Sequence, residues 1–178
     1  WNLGEEITSA TTAQKIAWSQ YIYDTDPYHH NMVIQNMNIP HYDMLGTASK
    51  LTGFSMQKSG GTTDTLDYLS RSDAAGVPWV VALDESGGAD QGVPPDSVEP
   101  THDSRRGGIM WGQLLAGGAG QETYYGYAVA DSGDLTSQSF RRYDIWWNQC
   151  RYALEFFRSN ALPFWNMTNR NNVFTGGG

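Results

Sequence analysis

Five hydrophobic residues, Trp79-Val80-Val81-Ala82-Leu83, run without a break into two adjacent carboxylates, Asp84 and Glu85. Such a run, preceded by Pro78 and followed by small residues, reads as a buried strand over 77–85. A buried carboxylate is costly unless it is paired or used. Either the acids simply stop the strand, or the strand exists to present them. The chain opens in the same way: Trp1-Asn2-Leu3 is a short apolar run closed by Gly4, Glu5 and Glu6.

Between and after these two segments the pattern alternates. Thr8 to Tyr23 reads as a helix with Thr11 or Thr12 as N-cap and Ile16, Ala17, Tyr21 and Ile22 at helical spacing. Segments 31–37 and 52–57 read as strands, with a short helix or turn over 41–49 between them. A helix follows over 62–76, stopped by Gly76. Beyond the 77–85 strand comes a long loop, Ser86 to Asp103, holding three of the seven prolines. Residues 104–118 read as a helix despite their glycines, and 120–129 as a Tyr-rich strand. Residues 136–160 form the clearest helix, with Phe140, Tyr143, Trp146, Trp147, Cys150, Ala153, Leu154 and Phe157 at helical spacing. Strands alternating with helices predict an α/β fold with a parallel sheet and helical crossovers.

With 178 residues, 39% of them hydrophobic, the chain is long enough for one domain with a real core. Its net charge of −8 and scattered basic residues give no electrostatic footprint for nucleic acid. No apolar run reaches the length of a membrane span, so no membrane partner is expected. The one cysteine, Cys150, sits in an apolar helical stretch and reads as a small buried hydrophobe. Opening on Trp1 in the middle of an apparent strand, and closing on a Gly-rich tail, the chain reads as a fragment of a longer protein.

In parallel α/β folds, chemistry gathers at the C-terminal ends of strands. Glu5 and Glu6, Asp84 and Glu85, and Glu122 all fall at or near such ends. Paired carboxyls flanking a sugar are the machinery of glycoside hydrolysis, one as general acid and the other as nucleophile or base. The bland alternative is that these acids cap helices or solvate loops. Trp1, Trp79, Trp111, Tyr124, Tyr125 and Tyr127 are candidates to stack on sugar rings, or else core. Asn2 and Gln57 are candidates to bond sugar hydroxyls. His102, before Asp103 and two arginines, either contacts substrate or caps the following helix.

The spacing of "WNLGEE" and "WVVALDE" resembles the fourth and seventh strands of the clan A glycoside hydrolases, which are (β/α)8 (TIM) barrels. "GVPPD", "HDSRRGGIMWGQLLAGGAGQETYYGY", "DLTSQSFRRYDIWWNQCRYALEFF" and "LPF" resemble uncharacterised bacterial proteins named for glycoside hydrolases, some carrying a C-terminal domain named for collagen binding. The resemblance covers nearly the whole chain and is most specific over Gly107–Tyr127. It implies a partial barrel covering roughly strands 4 to 8, with residues 1–175 forming the C-terminal part of a catalytic barrel and 176–178 a tail. It implies Glu85 as nucleophile and Glu6 or Glu5 as acid/base, Glu6 standing where the Glu of a Gly-Asn-Glu motif would stand; Asp84, Glu122 and Tyr124 are further candidates to contact substrate. A polysaccharide or oligosaccharide would be the substrate, hydrolysed with retention and without a cofactor. The partner would be the missing N-terminal half of the barrel or another copy of the chain, and the location secreted or periplasmic. The contrasting expectation is a non-catalytic carbohydrate-binding or self-assembling protein derived from such a hydrolase.

Other features carry less. His29 and His30 lack the companions of a metal site and read as turn or surface. "DESGGAD" lacks the alternating acids and distal Glu of an EF-hand. "GGAGQE" lacks the Gly-Lys-Ser/Thr of a phosphate loop. Ser86 lacks the Gly-x-Ser-x-Gly frame of a nucleophile elbow. Asn166-Met167-Thr168 is a glycosylation sequon, relevant only in a eukaryotic secretory setting.

Overall fold

The computed structural model describes residues 1–37, 40–58, 61–86, 88, 90, 92–123, 125–128 and 139–170. Helix α1 (Thr12–Thr25) begins with a reciprocal cap. Thr11 Oγ1 accepts from the Gln14 amide at 3.3 Å, and Gln14 Oε1 accepts from the Thr11 amide at 2.8 Å. Strand β1 (Val33–Met37) follows, then two 3-10 turns, Tyr42–Met44 and Gly46–Ala48, and strand β2 (Gly53–Gln57). Helix α2 (Thr62–Ala74) crosses to strand β3 (Val80–Asp84). Gly76 adopts φ +84°, the left-handed conformation that ends a helix most easily at glycine.

The three strands form one parallel sheet in the order β1-β2-β3, with Val33, Gly53 and Val80 in one row and Met37, Gln57 and Asp84 in the last. One face is apolar. Ile34, Phe54, Met56, Val81 and Leu83 are buried there with Tyr68 and Trp79, and Ile16 and Ile22 of α1 and Leu69 of α2 pack against them. The rows of the other face hold Gln35, Ser55, Gln57, Ala82 and Asp84. Val80 on that face is 54% exposed, so the face is partly open to solvent.

This architecture overturns the expectation of a partial (β/α)8 barrel contributing strands 4 to 8. The described chain is a small α/β domain with a three-stranded parallel sheet. The two outer segments expected as strands do not extend it into five. Residues 1–6 meet β1 in a single parallel bridge, Asn2 to Val33, and the backbone then turns at Gly4 (φ +135°) and Glu6 (φ +52°). At the opposite edge, Gln121 bridges Leu83, but the chain then leaves the sheet. Tyr125 pairs antiparallel with Gly92 instead, and Thr123 Oγ1 accepts from the Trp146 indole at 3.2 Å. A strand needs an uninterrupted extended backbone, and neither segment keeps one.

The glycine-rich 104–118 segment is helical but not uniformly so. Helix α3 (Asp103–Arg105) runs into a π-helical stretch (Arg106–Trp111) and then helix α4 (Gly112–Leu115). The last long element is helix α5 (Asp144–Ser159), which starts later than its periodicity suggested because Phe140–Tyr143 forms a 3-10 turn. Tyr143, Trp146 and Ala153 are buried in a second cluster with Val93 and Met110. Phe140 and Leu154, expected in the same stripe, are more than 60% exposed. The expected tail, 176–178, lies outside the described residues.

Candidate functional site

At the C-terminal end of β2, Gln57 is 96% buried and lies in the row of Asp84. Its Nε2 points at two carboxyls of the opening segment, 3.5 Å from Glu5 Oε1 and 3.4 Å from Glu6 Oε1. Glu85 lies close enough for Gln57, Glu5 and Glu6 all to act on its carboxyl. The buried Gln57 Oε1 has no partner among the described residues. Three acids from two distant parts of the chain therefore converge on one buried amide, which holds an acceptor in reserve.

The electrostatics follow from this convergence. Burial raises the Glu85 carboxyl above its ordinary range, the Gln57 hydrogen bond opposes that shift, and Glu5 and Glu6 add to it. Asp84 is pushed up to about 6, chiefly by burial and then by the charges of Glu122 and Glu5. Asp84 and Glu122 thus share the electrostatic field of the same cluster. Asp84 and Glu85 therefore keep their protons to a higher pH than isolated carboxyls do.

The backbone around these acids is unusual. Only five non-glycine residues among those described adopt positive φ, and Glu6 (+52°), Glu85 (+43°) and His102 (+50°) are three of them. Each departs from the conformations an L-residue prefers and persists only where its surroundings hold it. After Glu85, Ser86 is fully buried. Its carbonyl accepts from Arg105 Nη1 at 2.7 Å and its Oγ from Gln121 Nε2 at 3.1 Å.

The remaining sequence candidates scatter. Asn2 Nδ2 donates to Gln35 Oε1 at 2.6 Å, two rows from Gln57 on the same side of β1 and β2. Trp1 is 61% exposed, and its indole donates to Asp26 at 2.8 Å, where the chain enters β1. That is the opposite end of the sheet from Gln57 and Asp84. Trp111 packs against Phe156 and Phe157 of α5. Trp79 is core, stacked on Tyr68. Tyr125 leans on Tyr143 and Trp147, and Tyr127 is exposed. Tyr124 lies outside the described residues. His102 is fully buried, with Nε2 2.7 Å from Asp96 Oδ1. Its carbonyl accepts from the amides of Arg105 and Arg106, so it builds the start of α3.

The weaker features settle as follows. His29 stacks on Tyr23 and His30 contacts Asp26, both exposed at the turn before β1. Among the described residues no group of three His, Cys, Asp or Glu is arranged to hold a metal ion. No described helix is long and apolar enough to cross a membrane. Burial raises the Cys150 thiol, as suits a small apolar neighbour rather than a nucleophile.

Two cavities lie elsewhere. One of about 270 Å³ is lined by Asn36, Tyr42, Phe54 and Tyr68, among others; one of about 290 Å³ lies between α4 and α5. No candidate carboxylate lines either.

Ser86, Arg105 and Gln121 were not legible as site residues in the sequence. An arginine that bonds main-chain carbonyls leaves no mark in residue type or spacing. Comparison with protein-family models, with curated proteins and with solved structures finds no match to this chain.

Proposed function

We propose that the protein is a glycoside hydrolase working through two carboxyls, Glu85 and Glu5. The observation that carries this reading is the buried Gln57 amide, whose Nε2 faces Glu5 at 3.5 Å and Glu6 at 3.4 Å, with Glu85 near enough for both acids to raise its carboxyl. Carboxyls near enough to raise one another's affinity for a proton supply an acid and an ionised base or nucleophile in one place.

In the proposed reaction Glu5 protonates the leaving glycosidic oxygen as the ionised Glu85 attacks the anomeric carbon. The bond to the leaving group breaks as the ester to Glu85 forms. A water, deprotonated by Glu5, then hydrolyses that ester and restores both carboxyls. Gln57 stabilises the ionised Glu85 by hydrogen bonding, and its open Oε1 is placed to accept from a sugar hydroxyl. Glu5 acts on the Glu85 carboxyl more strongly than Glu6 does, which favours Glu5 over Glu6 as the acid/base.

The test is turnover of a panel of aryl glycosides and polysaccharides by the wild-type chain and by Glu85→Gln. The expected result is hydrolysis that Glu85→Gln removes, and a covalent adduct on Glu85 with a 2-fluoroglycoside inactivator. Equal turnover by wild type and Glu85→Gln rejects the assignment. A carbohydrate-binding or self-assembling protein is the second reading, favoured by the exposed aromatics Phe164 and Trp165 beyond α5. Sugar binding that survives Glu85→Gln, with no turnover by wild type, selects it.

A further inference from the structure

The left-handed backbone at Glu85 needs something to hold it, and the side chain of Arg105 is built for that purpose. Its Nη1 donates to the Ser86 carbonyl and its Nη2 to the Gly92 carbonyl, each at 2.7 Å. One planar guanidinium thus ties the residue after Glu85 to the far side of the loop. Arg105 makes no ion pair among the described residues, so these two carbonyls are its principal polar contacts. A half-buried cation used only on main-chain oxygens serves geometry, because a surface charge would do better in water.

The clamp is itself anchored. The amide of Arg105 donates to the carbonyl of His102, and the buried His102 ring is held by Asp96. Asp96 Oδ2 in turn accepts from the Ile145 amide at the head of α5. A continuous chain of hydrogen bonds therefore runs from α5 through Arg105 to the residue beside Glu85.

The geometry points to Arg105 as a positioning residue for Glu85: its fork on Ser86 and Gly92 sets the left-handed backbone turn from which the Glu85 carboxyl projects. The catalytic meaning of this rests on the hydrolase reading above, but the conformational claim stands apart from it. Arg105→Lys keeps the charge and removes the two-pronged geometry. Arg106→Lys, on a neighbour ion-paired to Asp103 at the surface, is the control.

The experiment follows Glu85 by NMR in the full chain, through its backbone carbon shifts and the titration of its carboxyl, alongside kinetics on any substrate found. In Arg105→Lys the Glu85 shifts should move toward extended values and its titration should move away from its wild-type position. Where turnover is measurable, kcat should fall about 100-fold with KM within twofold, as for a misplaced reacting group. Arg106→Lys should leave all of these at wild-type values. Unchanged Glu85 signals in a folded Arg105→Lys overturn the inference, and shifted signals with kcat intact overturn its catalytic part. Should Arg105→Lys fail to fold, wild-type protein decides. Scalar coupling across the hydrogen bond from Arg105 Nη to the Ser86 carbonyl carbon, with left-handed Glu85 shifts, supports it, and the absence of either overturns it. If no glycoside is turned over by wild type, the hydrolase reading fails while the Glu85 signals still test the clamp.

Discussion

Replacing Asp84 with Asn should stabilise the protein, and only above a particular pH. Asp84 sits at the end of β3, half-buried beside Glu122 and Glu5, with its carboxyl pushed up to about 6 from an ordinary 3.8. The folded state therefore binds its proton more tightly than the unfolded chain. Below about pH 3.8 the carboxyl is neutral in both states and imposes no penalty. Between about 3.8 and 6 the unfolded chain ionises first, so stability falls as pH rises. Above about 6 both states are ionised and the penalty stays constant. The gap between the two values corresponds to about 3 kcal/mol at most. Solvent access and counter-ions on the open sheet face should reduce it to about 1–2 kcal/mol. Urea unfolding of wild type and Asp84→Asn at pH 4, 5, 6 and 7 measures the difference directly. Asp84→Asn should gain on wild type across this range and level off near pH 7. A difference that stays constant from pH 4 to 7, or that shrinks as pH rises, would refute the assignment of a strained, proton-retaining carboxyl at this strand end.

Two further perturbations test the packing that positions the site. Trp146 is fully buried, with its indole N–H on Thr123, so Trp146→Ala should cost about 3–5 kcal/mol in denaturant unfolding, with Trp146→Phe recovering much of the loss. Gly53 stands at the start of the central strand, where an added Cβ would meet the Val80 carbonyl oxygen at 2.6 Å and Val33 Cγ1 at 2.9 Å. Gly53→Ala should cost about 1–3 kcal/mol, because the obstructing atom is backbone and cannot swing aside, and thermal unfolding reads the loss.

The acids at these strand ends work against stability, as the Asp84 penalty shows, and proteins retain such costs where a site needs them. The same tension is visible in the backbone. Glu6, Glu85 and His102 each occupy a region that asparagine or glycine fills more easily. Their coincidence with the sequence candidates for catalysis and binding joins two independent observations, one of residue type and one of conformation.

Much of the local architecture was legible in the order of residues. Strand β1 appears at 33–37 within the expected 31–37, β2 at 53–57 within 52–57, and β3 at 80–84 within 77–85. The Thr11 cap and the Gly76 stop stand where their chemistry placed them. These features depend on neighbours a few residues apart, so periodicity and capping record them. Glu5, Glu6, Asp84, Glu85 and Gln57 were also visible as polar residues ending apolar runs. The number of strands was not, because pairing is decided between segments far apart in the chain. Residues 1–6 and 120–129 have strand-like composition, yet backbone turns and contacts with Gly92 and Trp146 draw them away from the sheet edges. Strand-end placement pointed to the Glu5–Glu6 and Asp84–Glu85 ends meeting, but not to Gln57 as the amide between them. Sheet register and the open face bring them together across 80 residues of sequence. The Arg105 clamp depended wholly on tertiary structure, because main-chain carbonyls are identical at every position and only the fold selects which two an arginine will reach.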